Sequence, residues 1–137
     1  MIILDASALV RLVIREECSP KAVMETEKAI KAGDIVAAPD IALAEALNAI
    51  WKHFSLAKDI GRAELEGAVE QLLFIWDKIT KLDTSNLAVA GVRISTANRF
   101  AVYDSLYIAA SRSENAPLLT FDSDMINLAD KLGITLL

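Results

Sequence analysis

The chain has 137 residues, a net charge of −5, 54% hydrophobic and 24% charged residues; this length and composition favour one globular domain, residues 1–137, and exclude a disordered chain. No uncharged apolar run reaches the roughly 18 residues a membrane helix needs, and Met1-Ile2-Ile3-Leu4-Asp5 meets an acid at once, unlike a secretory leader. Cys18 is the single cysteine, so no internal disulfide can form, and a lone thiol suits a reducing cytoplasm.

Ile2-Ile3-Leu4 is a short apolar run ending on an acid, as a buried parallel strand would be. Ala6 to Glu17 then predicts a helix, with Ala8, Leu9, Leu12 and Val13 on one face and Arg11 and Arg15 on another. Pro20 opens a second helix, with Ser19 as its N-cap and Gly33 as its stop. Ile35-Val36-Ala37-Ala38 predicts the next strand, closed by Pro39. Asp40 caps a helix running through Leu43, Leu47, Ile50 and Trp51 to about Phe54. A long helix from Asp59 to Trp76 follows, with Leu65, Val69, Leu72, Leu73 and Trp76 at helical spacing.

Ile79 to Leu82 predicts a short strand, and Thr84-Ser85 caps a helix ending near Asn98. Asp104 stands at the start of a helix through Ala110. Leu118-Leu119-Thr120 is a strand leading to Asp122, Ser123 to Leu132 is a helix stopped by Gly133, and Ile134 to Leu137 is a last strand. Alternating strands and helices predict an α/β fold, a three-layer α/β/α sandwich around a mainly parallel sheet. The high apolar share also leads to the expectation of a homodimer, with part of that surface buried between subunits.

An acidic chain is an unexpected nucleic-acid binder, because affinity for phosphate normally comes from Lys and Arg. Either the substrate is something else or the acids gather where cations neutralise them. Their positions favour gathering. Ligands of an open parallel sheet bind beyond the carboxyl ends of its strands, and Asp5 and Asp122 both follow predicted strands. Asp104 can reach the same rim from its helix start, and Glu45 lies within the otherwise apolar Ile41-Ala42-Leu43-Ala44-Glu45-Ala46-Leu47. Singly, each Asp also reads as a helix N-cap and Glu45 as a solvated helix residue. Jointly they converge.

Two carboxylates about 4 Å apart repel by roughly 4 kcal/mol at an effective dielectric of 20. Four together therefore need protons or divalent cations. All-oxygen ligands select hard ions such as Mg²⁺ or Mn²⁺, and no Cys/His cluster offers zinc an alternative.

Four segments carry a resemblance: Ile3-Leu4-Asp5-Ala6-Ser7, Ala44-Glu45-Ala46-Leu47, Tyr103-Asp104-Ser105-Leu106-Tyr107-Ile108-Ala109 and Leu119-Thr120-Phe121-Asp122. In this order and spacing the chain resembles the PIN-domain nucleases, in particular the VapC-type toxin ribonucleases of toxin–antitoxin pairs. The resemblance implies a metal-dependent endoribonuclease in the cytoplasm, a homodimer silenced by a cognate antitoxin protein. Carried over by position, Asp5, Glu45, Asp104 and Asp122 would be the catalytic, metal-binding acids. Ser7 and Thr120 would be hydroxyls that orient them, and Asp124 an additional acid that also reads as a first-turn helix acid favoured by the dipole.

The expected reaction is in-line hydrolysis by water, leaving 5′-phosphate and 3′-hydroxyl ends. The alternative through the RNA 2′-hydroxyl uses paired acid–base groups, often His, and His53 is the single histidine. For RNA binding, the Arg11/Arg15 pair on the first helix is the leading candidate, against a solvated face as the ordinary explanation. Two other functions compete. A phosphohydrolase of small phosphate esters would place an acid two residues after its nucleophile, where this chain has Ser7; a catalytically silent PIN-like binding module would have no need of four intact acids.

Overall fold

The computed structural model describes residues 1–137. Its strands are β1 (Ile2–Leu4), β2 (Val36–Pro39), β3 (Thr80–Leu82) and β4 (Leu118–Leu119). Its helices are α1 (Ala6–Val13), α2 (Ser19–Lys31), α3 (Ile41–Lys52), α4 (Arg62–Lys78), α5 (Thr84–Asn98), α6 (Val102–Glu114) and α7 (Ser123–Lys131). The sheet is parallel in the order β3-β2-β1-β4, with Ile3 opposite Ala37 on one side and Leu118 on the other.

That order fixes the layers. The chain steps outward from β1 to β2 to β3, then crosses back to the far side of β1 to form β4. Right-handed crossovers put the connections of the outward steps on one face and α5–α6 on the other. α1 accordingly packs on α2, α3 and α4, whereas α6 lies across β1, β2 and β4 beneath α5. The result is the α/β/α sandwich expected from the sequence.

Ile3, Leu4, Leu118 and Leu119 are completely enclosed, as strands covered on both faces must be. Helix α6 is unusual in being buried without interruption from Ser105 to Ser111. Its small residues Ala109 and Ala110 permit that depth, and Gly91 lets α5 approach closely: a Cβ there would come within 2.8 Å of Leu106 Cδ2.

Several boundaries differ from the sequence reading. α1 ends at Val13, not Glu17, because Ser19 Oγ binds both the Ile14 carbonyl and the Glu16 N–H and folds residues 14–19 into a turn. Cys18, in left-handed backbone at φ 65°, occupies the N-cap position of α2, and Ser19 is already helical. α3 runs on into a π-helical turn, His53–Ala57. Asp59 lies outside α4, with its carboxylate on His53, and Glu64 instead closes that helix start through the Gly61 N–H. The cap of α5 is Asp83, not Thr84 or Ser85. The expected last strand reduces to one parallel bridge, Leu118 to Leu136.

Candidate functional site

The strand order reverses at β1, so the crevice beyond the carboxyl ends of β1 and β4 is the switch point where ligands of such sheets bind. Asp5 follows β1 immediately and is buried, 3% exposed. Its Oδ1 accepts the Ala8 N–H at 2.8 Å, which makes it the N-cap of α1. The cap reading and the site reading are both true of this residue. Ser7 Oγ donates to both Asp5 oxygens at 2.7 and 2.9 Å, and Thr120 Oγ1 donates to Oδ2 at 2.5 Å.

Those two hydroxyls also tie β1 to the turn after β4. Ser7 Oγ accepts the Phe121 N–H at 2.8 Å, and Thr120 Oγ1 accepts the Asp122 N–H at 3.2 Å. Each therefore donates to one acid while holding the backbone that carries another. Asp122 is exposed and caps α7, its Oδ1 accepting the N–H groups of Asp124 and Met125, both at 2.9 Å.

Glu45 and Asp104 arrive from the two helical layers. Glu45 is half-buried on α3 and receives a hydrogen bond from the Tyr107 hydroxyl of α6. Asp104 lies in the first turn of α6, one turn before Tyr107. Burial pushes Asp104 up to about 6, and the charges of Glu45, Asp122, Asp5 and Asp124 each add to that rise. Asp5 is likewise raised to about 6, mainly by burial, against the hydrogen bonds of Thr120, Ser7 and Ala8 and with a further push from Asp122. Glu45 is raised by burial and held back by Tyr107. Burial together with the Glu45 and Asp5 charges drives the Tyr107 phenol far above its ordinary value, so it remains a donor at any working pH.

The electrostatics thus bring together all four acids singled out in the sequence, and Asp124 with them. Their chemistry fits a hard divalent cation: oxygen donors alone, crowded enough to hold protons in the absence of another positive charge. They do not close into a finished ligand cage, since no three His, Cys, Asp or Glu side chains meet at ligand spacing.

The structure separates the two arginines: Arg11 lies in α1, and Arg15 in the turn after it. Arg11 is turned inward: Nε donates to the Glu17 carbonyl at 2.9 Å, Nη1 to the Ser7 carbonyl at 3.1 Å, and its guanidinium lies 4.7 Å from the centre of the Phe121 ring. Arg15 is exposed. His53 is engaged elsewhere, between Asp59 at 2.9 Å and Glu16 at 3.6 Å. Sequence reasoning assigned no role to Tyr107. The available signal was a phenol within the apolar run Leu106-Tyr107-Ile108, because a buried hydroxyl requires a partner.

Acids at the carboxyl edge of a parallel sheet, beside its switch point, define the class of α/β/α protein to which this chain conforms. More particularly, residues 2–131 match the PIN domain family, and the chain belongs to it. No curated protein sequence matches. Solved structures share the fold. PAE2754 from Pyrobaculum aerophilum is 22% identical with a TM-score of 0.65, covering 93% of this chain and 78% of its own. Mycobacterium tuberculosis VapC20, a sarcin–ricin loop cleaving toxin, is 15% identical with a TM-score of 0.66, covering 98% and 97%. FitAcB from Neisseria gonorrhoeae is 16% identical with a TM-score of 0.59, covering 99% and 96%.

Proposed function

We propose that this protein is a divalent-cation-dependent endoribonuclease, the toxin of a toxin–antitoxin pair, acting as one domain over residues 1–137 in the cytoplasm. One observation carries the reading: Asp5, buried at the carboxyl end of β1, takes hydrogen bonds from Ser7 and Thr120, whose oxygens in turn hold the turn that carries Asp122. Membership of the PIN family supports nuclease chemistry. The RNA-cleaving VapC20 among the structural neighbours supports RNA as the substrate class.

In this reading Asp5, Glu45, Asp104 and Asp122 hold Mg²⁺ or Mn²⁺, with Asp124 as a supplementary acid at the exposed edge. When bound, such an ion lowers the pKa of water and offsets the charge of a phosphodiester. The protein's own part is positioning. Ser7 and Thr120 keep Asp5 ionised and aimed, while Tyr107 occupies one oxygen of Glu45 and leaves the other free. Glu45 and Asp104, raised by burial, accept a proton more readily than surface acids do. Arg15, exposed beside Lys28 and Lys31, supplies positive charge for the RNA backbone.

Two surfaces support the proposed partners. A groove of about 680 Å³ between α2, β2 and α4 has Ile30, Ile35 and Phe74 exposed along it, which suits an apolar segment of an antitoxin. Val89 and Val92 of α5, with Val102 and Tyr103 of α6, form a further exposed apolar set suited to a second copy of the chain.

The test is cleavage of end-labelled RNA by purified protein with Mn²⁺, beside EDTA and Asp104→Asn. We expect cutting that EDTA abolishes and that Asp104→Asn lowers at least about 100-fold, with 5′-phosphate ends. Cutting that survives EDTA, or products ending in a 2′,3′-cyclic phosphate, would refute the mechanism. A folded protein that binds Mn²⁺ and cuts no RNA would support the binding-module alternative.

A further inference from the structure

We infer that Arg11 is a positioning residue: its guanidinium clamps together the two turns that carry the acids, instead of contacting the RNA. The inference rests on the reading of those acids as one cation site.

The geometry assigns Nε, Nη1 and the ring-facing side of the guanidinium to the protein. Nη1 donates to the carbonyl of Ser7, in the turn that follows Asp5. The plane of the group lies over Phe121, 4.7 Å from Cζ to the ring centre, in the turn between Thr120 and Asp122. Nε donates to the Glu17 carbonyl, and the Glu16 carboxylate stands 3.3 Å from Nη1, so the turn between α1 and α2 holds the group from behind. Glu16 is itself steadied by His53 of the π-helical turn, which Asp59 grips on its other nitrogen.

The side chain is only 18% exposed. With Nε and Nη1 engaged, the group is fixed in place against the protein. What it does have is a purchase on both sides of one seam, because Ser7 and Phe121 are also joined directly, N–H to Oγ at 2.8 Å. That hydrogen bond is the one that keeps Ser7 Oγ oriented with its own proton toward Asp5. Arg11 pressing on Phe121 from the α1 side closes the seam and thereby sets how far Asp122 stands from Asp5. Lysine would not substitute, since its compact ammonium lacks the rigid planar group whose separate Nε and Nη1 donors reach the Glu17 and Ser7 carbonyls while the face meets the ring.

The test compares the full-length wild type with Arg11→Lys, Arg11→Met and, as a surface control, Arg15→Met. Three quantities are measured: hydrogen exchange of the Phe121 amide in metal-free protein, Mn²⁺ affinity by electron paramagnetic resonance, and the salt dependence of RNA binding in EDTA. For Arg11→Lys we expect Phe121 exchange to quicken at least about ten-fold and Mn²⁺ affinity to fall roughly ten-fold, as for other groups that orient ligands. The salt slope of Arg11→Met should stay at the wild-type value, whereas Arg15→Met should reduce it by about one ion.

Unchanged Phe121 exchange would overturn the clamp, and a salt slope lowered by Arg11→Met would return Arg11 to the RNA contacts. A fall in melting temperature with exchange faster but Mn²⁺ affinity intact would also overturn it, by reducing Arg11 to a general stabiliser. Should Arg11→Met fail to fold, Phe121→Leu removes the ring alone and should weaken Mn²⁺ binding about three-fold in the same direction. A wild type that binds no Mn²⁺ would refute the cation-site reading, while the exchange of Phe121 still judges the clamp by itself.

Discussion

The two corners of the acid crevice are built on opposite principles. At the β1/β4 corner, Asp5 is buried and met by Ser7, Thr120 and the Ala8 N–H, so hydrogen bonds offset part of the burial that raises it. At the α3/α6 corner, the Tyr107 hydroxyl serves Glu45, and every influence on Asp104 opposes its ionisation. One corner is preorganised and the other is held in tension. Only the second gains everything from a bound cation, because its charge has little compensation from the protein.

The largest effect should come from exchanging the carboxylates for amides one corner at a time. Asp5→Asn places an amide among groups that all donate, and should cost about 2–3 kcal/mol of metal-free stability by denaturant unfolding. Asp104→Asn removes a repelled charge and should leave that stability unchanged or higher while abolishing cleavage. Equal destabilisation by the two would break the comparison. Thr120→Val should come next, at about 1–2 kcal/mol, because it strips Asp5 of one donor and the Asp122 N–H of its acceptor.

The pH dependence sharpens the same contrast. Asp5 and Asp104 are raised from 3.8 to about 6, so between pH 4 and 6 the folded chain keeps protons that the unfolded chain has released. From these groups, metal-free stability is therefore highest below pH 4, falls as pH rises through that window and levels off above it. Mn²⁺ competes with those protons, so the rise in melting temperature it produces should be small at pH 4.5 and near its maximum at pH 7. A shift independent of pH would place the ion away from Asp5 and Asp104. Smallest of all, Asp124→Asn should change cleavage by about three-fold or less, since its influence comes last among those on Asp104.

Much of this corner-by-corner plan could be read from the chain. Asp5 and Asp122 were visible because an acid directly after an apolar strand has one place to go, the carboxyl edge of the sheet. Ser7 and Thr120 were found beside them through the resemblance, and the structure gives each a donor and an acceptor role. Tyr107 and the inward turn of Arg11 were not legible. Both depend on which side chain from another element stands opposite: Glu45 across the α3/α6 interface, and Phe121 across a separation of 110 residues. The end of α1 was misjudged for a similar reason, since apolar periodicity continues past Val13 but a single hydroxyl, Ser19 Oγ, diverts the backbone into a turn.

The sequence by itself determined the parallel α/β/α order and singled out the acids proposed as a cation site, because apolar periodicity and residue type are local properties. The tertiary structure alone decided that Asp5 is met by donors from Ser7, Ala8 and Thr120, that Glu45 is met by Tyr107, and that Arg11 is withdrawn while Arg15 faces solvent. Charge interactions and hydrogen bonds depend on distance in space, and residues far apart along the chain acquire a distance only when the sheet forms.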